Sequence, residues 1–293
     1  MICIRLEGGL GNQLFQYAAG RALAVRHSAA LLLDTTKFSQ KKRGVTSRVL
    51  NLNHFSHVAR IATNREMRFL PWLSHLPVLS GMVSSWNTYL ENGPGFDAGF
   101  LSLPDQSYLV GYWQSFRYFE NIAPQLIGEF EPVERLSPAN EALLDKVGAE
   151  KSVAVHVRRG DYLTLKSAAR LHGVQPISYY ANALERVRER VEAPEFVVFS
   201  DDPKWCRDKL PLESGATFVD NNAGSDAWQD LVLMSHCRHH VIANSSLSWW
   251  GAWLADQRWS SVTRVVIAPA RWFAGHAEQN LVDRFPPHWL VQS

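Results

Sequence analysis

Two adjacent arginines follow an apolar segment in the second half of the chain, within the run His156-Val157-Arg158-Arg159-Gly160-Asp161-Tyr162. The apolar segment predicts a buried strand, and ligands of open α/β sheets bind outside the carboxyl ends of such strands. A guanidinium group carries a permanent charge and a planar set of donors that matches phosphate oxygens. The run therefore predicts a site for a phosphorylated substrate. A surface Arg–Asp pair after a buried strand is the alternative.

Two more polar clusters follow predicted strands, Ser200-Asp201-Asp202 and Asn244-Ser245-Ser246. In a parallel sheet they would share the carboxyl edge with Arg158. A helix is predicted after Ser246, so backbone N–H groups and hydroxyls there could bind phosphate. Ser245 or Ser246 could equally be an N-cap, and one residue could do both.

A glycine-rich turn, Gly8-Gly9-Leu10-Gly11-Asn12, follows the first predicted strand. Glycines let the backbone approach a ligand closely, although a plain tight turn explains them as well. The turn lacks the last glycine of a GxGxxG dinucleotide fingerprint. No GxSxG elbow occurs in the sequence, which disfavours a serine hydrolase.

Strands and helices that could position these residues alternate along most of the chain, which predicts a parallel α/β sheet in each half. The predicted strands cover 2–6, 29–33, 152–157, 196–199, 217–219, 240–243 and 264–268. The predicted helices cover 13–27, 178–191, 226–237 and the segment from Ser246 through Leu254, with a short one opened by Ser137-Pro138. Residues 37–104 have no assignment.

We therefore expect two Rossmann-like domains, 1–148 and 149–293, facing across a cleft. That architecture suits a sugar-nucleotide transferase, with the acceptor held by the first domain and the donor by the second. The last helix could pack back on the first domain.

Composition limits the function classes. The chain has 293 residues, 46% hydrophobic and 20% charged, with a formal net charge of +2. It is thus an ordinary globular protein with no basic excess for nucleic acid. Its three cysteines are far apart, which predicts neither disulfides nor a zinc site. Neither a signal peptide nor a membrane span is predicted, so we expect a cytoplasmic protein. Lys41-Lys42-Arg43 could touch a membrane at its inner face, or simply be a solvated loop.

The combination of motifs resembles bacterial α-1,2-fucosyltransferases of glycosyltransferase family 11. The resemblance runs nearly end to end and is weakest between about Lys37 and Pro104. It is carried by four runs, residues 7–16 (EGGLGNQLFQ), 156–162 (HVRRGDY), 199–202 (FSDD) and 243–252 (ANSSLSWWGA).

The resemblance implies a GT-B fold, a GDP-fucose donor, inversion at the anomeric carbon and no required metal. It implies that Arg158 holds the β-phosphate and that His156 lines the nucleotide pocket. Ser246 would lie near that phosphate. Arg159, Asp201, Asn244 and Ser245 complete the predicted donor site, and Gly9, Gly11 and Asn12 would close over the donor from the other domain.

Asp230 corresponds by the same resemblance to the carboxylate that recognises guanine. From the residues alone, a favourable charge near a helix N-terminus explains it as well.

The base that accepts the acceptor's proton stays open at the level of sequence. Asp161 is a candidate by motif, although it could be only the partner of the two arginines. His172, Glu7 and Asn12 are further candidates. The expected acceptor is a galactoside-terminated oligosaccharide of a bacterial surface glycan, which could be lipid-linked.

Four aromatic residues of the first half, Trp72, Trp86, Tyr112 and Trp113, could stack on the acceptor sugar or belong to the core. An α-1,6- or protein-directed fucosyltransferase and a non-catalytic sugar-binding module are the alternative functions.

Overall fold

The computed structural model describes residues 1–39, 48–68, 86–164, 169–170, 173–212, 214–222, 224–274 and 283–293. These residues form two compact units. The first contains the described residues up to Glu131 together with Asp283 and Arg284. The second contains those from Pro132 to Ala274 together with Phe285 to Ser293. The domain boundary after residue 148 stays a prediction.

The first unit is built on a five-stranded parallel sheet in the order β3-β2-β1-β5-β4. The strands are β1 Ile2–Arg5, β2 Leu31–Asp34, β3 Arg60–Ile61, β4 Asn87–Leu90 and β5 Ser107–Val110. The α-helices are α1 Leu10–Arg26, α2 Asn64–Arg68 and α3 Ala123–Glu129. Short 3-10 turns occur at Thr36–Ser39, Leu52–His54, Ala98–Ser102, Phe116–Tyr118 and Glu120–Ile122. Helix α1 is buried along most of its length, which fits its predominantly apolar and small residues.

The second unit has a six-stranded parallel sheet in the order β11-β10-β9-β6-β7-β8. The strands are β6 Ser152–Val157, β7 Glu195–Ser200, β8 Thr217–Val219, β9 His239–Val241, β10 Val266–Pro269 and β11 Leu290–Gln292. The α-helices are α4 Pro138–Glu141, α5 Leu144–Val147, α6 Gly160–Thr164, α7 Ile177–Arg188, α8 Pro203–Lys209, α9 Ala227–His236 and α10 Ser246–Arg258. A 3-10 turn covers Gly224–Asp226.

Strand β6 is buried at every position because both faces of the sheet are covered, as expected for a central parallel strand. Core residues of β6, α7 and β7 lie in one apolar cluster, which includes Val155, Leu184 and Val198. On the other face, Ala154 packs with Leu233 and Met234 of α9. The sheet thus holds the carboxyl end of β6 in a fixed place.

Several sequence predictions agree with these elements. The strands predicted at 152–157 and 217–219 have the observed bounds, and the parallel α/β pattern is confirmed. The first helix begins at Leu10 rather than at residue 13, because Gly9 is its N-cap and the rest of the glycine-rich turn forms its first turn.

Cys3, Cys206 and Cys237 are buried free thiols, as predicted. Among the described residues, no helix is both long and apolar enough to cross a membrane.

Candidate active site

The strand order of the second unit reverses between β6 and β9, because β7 and β8 lie on one side of β6 while β9, β10 and β11 lie on the other. Ligands of open α/β sheets bind at such a switch point, outside the carboxyl ends of the strands. Arg158 follows β6 there, and Asn244 follows β9 within three residues. Asp201 follows β7, the other neighbour of β6. The three polar clusters predicted from the sequence are therefore brought to one edge of one sheet.

Arg158 is held by a carboxylate from the neighbouring strand end. Its Nε lies 3.1 Å from Asp201 Oδ2, and the guanidinium lies 5.8 Å from the ring centroid of Tyr162. The side chain keeps 25% of its surface exposed. An Arg that is oriented by a carboxylate and still reaches solvent can present donors to a phosphate.

Asp201 also fixes the loop that carries Arg158. Its Oδ1 accepts the backbone N–H of Arg159 at 2.8 Å. Gly160 makes this approach possible, because a Cβ there would lie 2.8 Å from Asp201 Oδ2. Asp201 therefore acts on the loop geometry and on Arg158.

Arg159 has other partners. Its Nε donates to Asp202 at 3.2 Å, and its guanidinium lies 4.0 Å from the ring centroid of Trp205. Asp202 is in turn the N-cap of α8 and accepts from Trp205 N. These contacts tie Arg159 to the start of α8.

Asn244 and the two serines lie on the other side of the switch point, after β9. Asn244 is buried, and its Nδ2 donates to the backbone oxygens of Gly173 and Trp272 at 3.1 Å each. The Tyr162 hydroxyl donates to Asn244 O at 3.1 Å, which links the loop after β6 to that after β9. Asn244 thus acts by fixing the backbone.

Ser245 is the residue before α10, yet in the described structure its side chain makes no capping hydrogen bond. Ser246 begins the helix and is partly exposed. The first N–H groups of a helix have no partner inside the helix. Ser245, Ser246 and these N–H groups could therefore bind an anion.

His156 is buried in β6, and burial next to Arg158 lowers the pKa of its imidazole to about 4. The ring is therefore neutral near pH 7. Its Nδ1 has no hydrogen-bond partner among the described residues. A neutral ring so placed can hydrogen-bond a ligand but cannot supply a positive charge.

Asp230 lies in the first turn of α9 and is partly buried. Burial raises the pKa of its carboxyl to about 7, against the effect of a hydrogen bond from Asn222 Nδ2 at 2.7 Å. Asn222 Oδ1 accepts from Asn140, whose Nδ2 also donates to Gln229. No local pattern of the sequence points to Asn140 and Asn222, since their link to Asp230 depends on tertiary contact.

The glycine-rich turn lies at the corresponding point of the first unit, where the strand order reverses between β1 and β5. Gly8 has φ +84°, and a Cβ there would lie 2.6 Å from Asn12 Nδ2. A Cβ at Gly9 would make only an ordinary van der Waals contact, with Arg48 Nη1 at 3.9 Å. Gly11 is buried in α1. Gly8 is thus required by geometry, whereas Gly9 is not.

Gln13 and Gln16 hold the turn, a role that the sequence did not reveal. Gln13 Nε2 donates to Gly8 O and Val49 O, and its Oε1 accepts from Asn51 N. Gln16 Oε1 accepts from the backbone N–H of Glu7 at 3.0 Å. Both glutamines are completely buried and satisfy backbone groups of the surrounding loops.

The candidate bases have different surroundings. Glu7 receives Arg5 Nη2 at 3.1 Å, and the Asn12 amide accepts a hydrogen bond from Gln114. The backbone of Asp161 lies in α6, while its side chain and all of His172 lie outside the described part of the chain.

The aromatic candidates separate by burial. Trp113 is fully buried, and Trp86 packs against the Cys3–Leu32 cluster. Tyr112 keeps 44% of its surface exposed. Trp72 and Lys41-Lys42-Arg43 lie outside the described residues. Within those residues, no three His, Cys, Asp or Glu side chains group as metal ligands.

Comparison with known proteins decides the family. Residues 1–292 match the profile of Glycosyl transferase family 11. The chain belongs to this family. It is therefore a glycosyltransferase, as the sequence motifs predict.

Relatives in this family share most of the chain. An alpha-1,2-colitosyltransferase of Escherichia coli is 33% identical over 99% of this chain and 98% of that protein. The O-antigen biosynthesis glycosyltransferase WbnK of Escherichia coli is 32% identical over 94% and 96%. Galactoside 2-alpha-L-fucosyltransferase Sec1 of Mus musculus is 28% identical over 87% of this chain and 64% of that protein.

A solved structure shows the same fold. The fucosyltransferase NodZ from Bradyrhizobium matches with a TM-score of 0.54 and 15% identity, over 86% of this chain and 93% of that one. Such a likeness shows the fold alone. It confirms the predicted α/β class of GT-B type, with a parallel sheet in each of the two units.

Proposed function

We propose that this family 11 enzyme transfers L-fucose from GDP-fucose to the 2-hydroxyl of a galactoside in a bacterial surface glycan, with inversion and without a divalent metal. The carrying observation is the switch point of the second unit, where Arg158, Asp201 and the start of α10 follow neighbouring strands at one edge of the sheet. Two relatives support the linkage: the alpha-1,2-colitosyltransferase, which matches 99% of this chain, and the galactoside 2-alpha-L-fucosyltransferase Sec1, which matches 87% of it.

In the proposed reaction, the acceptor oxygen attacks C1 of fucose from the face opposite GDP. The bond between C1 and the β-phosphate oxygen breaks, and the hydroxyl proton passes to a base. The leaving diphosphate gains negative charge. Arg158 and the N–H groups at the start of α10 would stabilise it, because preorganised donors act strongly where charge develops.

The remaining site residues have supporting roles. Neutral His156 would hydrogen-bond the nucleotide, and the Asp230 carboxylate would accept the N–H donors of guanine. Gly9, Gly11 and Asn12 would contact the donor from the first unit. Arg159 would hold the loop. The base stays unassigned.

The acceptor belongs to the proposal as well. Because WbnK is named for O-antigen biosynthesis, we expect an oligosaccharide precursor of that kind, in the cytoplasm and lipid-linked at the inner face of the membrane. The rate of transfer to the free oligosaccharide and the rate of transfer to the same glycan on a lipid carrier would be compared directly.

The test is transfer from GDP-fucose to a panel of β-galactosides, with and without EDTA, followed by linkage and anomer analysis. We expect an α-1,2-linked fucosyl product whose yield EDTA does not change. An α-1,6 linkage, a peptide-linked product, or loss of activity with EDTA would contradict the proposal.

Colitose is the second candidate donor sugar, because the E. coli relative at 33% identity is named as a colitosyltransferase. Colitose differs from fucose in lacking the 3-hydroxyl. A site that hydrogen-bonds this hydroxyl rejects the deoxy sugar strongly. GDP-fucose and GDP-colitose assayed in parallel give the answer: a higher kcat/KM for GDP-colitose would replace the fucosyl assignment.

A further inference from the structure

The Asn12 side chain ends a chain of hydrogen bonds that begins at Arg284. Gln114 Nε2 donates to Asn12 Oδ1 at 2.8 Å, and Arg284 Nη1 donates to Gln114 Oε1. Gln114 lies in the loop after β5, and Arg284 comes 170 residues later in the sequence. All three residues belong to the first unit, where they lie beside its switch point.

The chemistry of these groups fixes the direction of both amides. A guanidinium group only donates hydrogen bonds, so Gln114 must turn its oxygen toward Arg284 and its NH2 group toward Asn12. Asn12 must then present its oxygen to Gln114, which directs its own NH2 group the other way. That NH2 group lies beside Gly8, where a Cβ would approach within 2.6 Å.

The surroundings keep Arg284 charged and in place. It is 2% exposed, and burial lowers its pKa to about 10, so it stays charged near pH 7. The charge of Glu91 acts against this shift. A buried charge needs such compensation. The neighbouring Asp283 accepts a hydrogen bond from Ser115 Oγ at its backbone oxygen and from Arg117 Nη1 at its carboxylate.

The loop after β5 is also held in an uncommon conformation. Trp113 has φ +56°, a region that bulky residues rarely adopt. Glu91 accepts the backbone N–H groups of Tyr112 and Trp113 at 2.6 and 2.8 Å, which holds this turn. Strained backbone of this kind is concentrated at ligand-binding sites.

We propose that Arg284 and Gln114 are positioning residues, which orient the Asn12 amide so that its NH2 group donates to the nucleotide sugar. The inference rests on the proposed function, in which Asn12 contacts GDP-fucose. Arg284 fixes the orientation of the Gln114 amide, Gln114 fixes that of the Asn12 amide, and Asn12 donates to the ligand.

The central variant is Gln114→Glu, which keeps the shape and the bond from Arg284 but cannot donate to Asn12. Asn12 is then expected to turn its oxygen toward the ligand. We expect kcat/KM for GDP-fucose to fall about 10- to 100-fold, with a matching rise in the Kd of GDP-fucose by calorimetry. In an Asn12→Ala background, the same substitution should cost less than about threefold. Gln125→Glu, on the exposed face of α3, is the matched control.

A merely structural fault lowers the amount of active protein, and with it kcat, while Kd stays unchanged. Arg284→Lys, which keeps a donor and the charge, should retain more affinity than Arg284→Met. Unchanged Kd in Gln114→Glu, or equal losses in both Asn12 backgrounds, would overturn the positioning role.

Failure of the proposed function has a different signature. Wild-type protein would then bind GDP-fucose but form no fucosylated product, while the Kd values of the variants would still show the expected coupling between Gln114 and Asn12. Wild-type protein that does not bind GDP-fucose would overturn both.

Discussion

At the scale of single residues, Arg158 is the group whose position leads most directly to chemistry. Asp201 orients its Nε, while 25% of the side chain stays exposed at the switch point. Arg159, beside it in sequence, is instead tied to Asp202 and Trp205. Two residues of identical chemistry thus have different surroundings.

The first prediction concerns this arginine. Arg158→Ala should lower kcat for fucosyl transfer about 100- to 1000-fold, because it removes a donor to the leaving diphosphate. Steady-state kinetics with GDP-fucose measures the effect, with far-UV circular dichroism to verify folding. Arg190→Ala, at an exposed position of the same unit, is the control and should keep full activity. If both variants retained normal kcat, Arg158 would have no part in catalysis.

The second prediction uses the pKa of Asp230, which burial raises to about 7. The carboxylate can accept two N–H donors of guanine, whereas the protonated carboxyl loses its charge and turns one oxygen into a donor, so protonation weakens binding. We expect the Kd of GDP to rise about tenfold between pH 8 and pH 6. Calorimetry in matched buffers measures it, and Asp230→Asn should bind weakly without this dependence. Because the diphosphate itself titrates, the pH dependence that remains in Asp230→Asn is subtracted from that of the wild-type protein.

The same residue gives an independent check on stability. Its carboxyl titrates near 3.8 when unfolded and near 7 when folded, so between these values the folded state binds more protons. The contribution of Asp230 to stability is therefore lost as pH rises from about 4 to about 7. Asp230→Asn should remove this fall, and an identical pH profile of unfolding in both proteins would show that the carboxyl is not perturbed.

At the scale of elements, the turn between β1 and α1 depends on one glycine. Gly8 has φ +84°, and Asn12 Nδ2 occupies the place of a Cβ. Gly93 has nearly the same φ, +91°, but none of the described atoms lies within 4 Å of its Cβ position. The two positions thus share a backbone conformation that is strained for any residue with a side chain, but only at Gly8 would a Cβ clash with a neighbour.

The third prediction follows from that pair. Gly8→Ala should displace Asn12 and lower kcat/KM at least about tenfold, whereas Gly93→Ala should cost only the backbone strain, about 1 kcal/mol of stability. Kinetics and urea unfolding of both variants separate the two effects. Equal activity in the two variants would mean that the turn does not position a ligand group.

The elements also show what the sequence could predict. In the second unit, β6 and its neighbours are apolar runs followed by polar clusters, so both the strands and the shared edge could be predicted. In the first unit, the two residues of β3 are exposed, and β4 has no buried position. Such strands have no apolar run to detect, so the sequence supports no assignment for them.

The site residues divide in the same way. Arg158, Asp201 and the two serines at the start of α10 could be predicted as candidates because motif and strand end coincide. Arg284 could not, since its partner Gln114 is 170 residues away. The sequence allows Trp113 either as a platform for sugar or as part of the core, and its burial assigns it to the core. Burial and long-range pairing are properties of the folded chain, and no local pattern reports them.

At the scale of the whole molecule, the last residues of the chain serve both units. Asp283 and Arg284 belong to the first unit, where they hold the loop after β5. The residues from Phe285 onward belong to the second, where β11 extends the sheet beside β10. A short terminal segment therefore supplies a positioning residue to one unit and a strand to the other.

Trp289 is the main anchor of this segment in the second unit. Its ring packs against Trp249 and Phe285, and its Nε1 donates to Asp256 Oδ2 at 2.6 Å. Asp256 also forms an ion pair with buried Arg264. Removing the indole would leave a cavity and take one donor from a buried carboxylate, two losses that add to each other.

The fourth prediction is that Trp289→Ala lowers the free energy of unfolding by about 3–5 kcal/mol, as expected for a buried tryptophan. Trp289→Phe should lose about 1–3 kcal/mol, since it keeps most of the packing and loses the hydrogen bond. Urea unfolding measures both, with Val291→Ala on the exposed side of β11 as the control. If Trp289→Ala had the same free energy of unfolding as the control, the second unit would not depend on the Trp289 anchor for its stability. A large loss would show that the second unit needs the terminal segment to be stable.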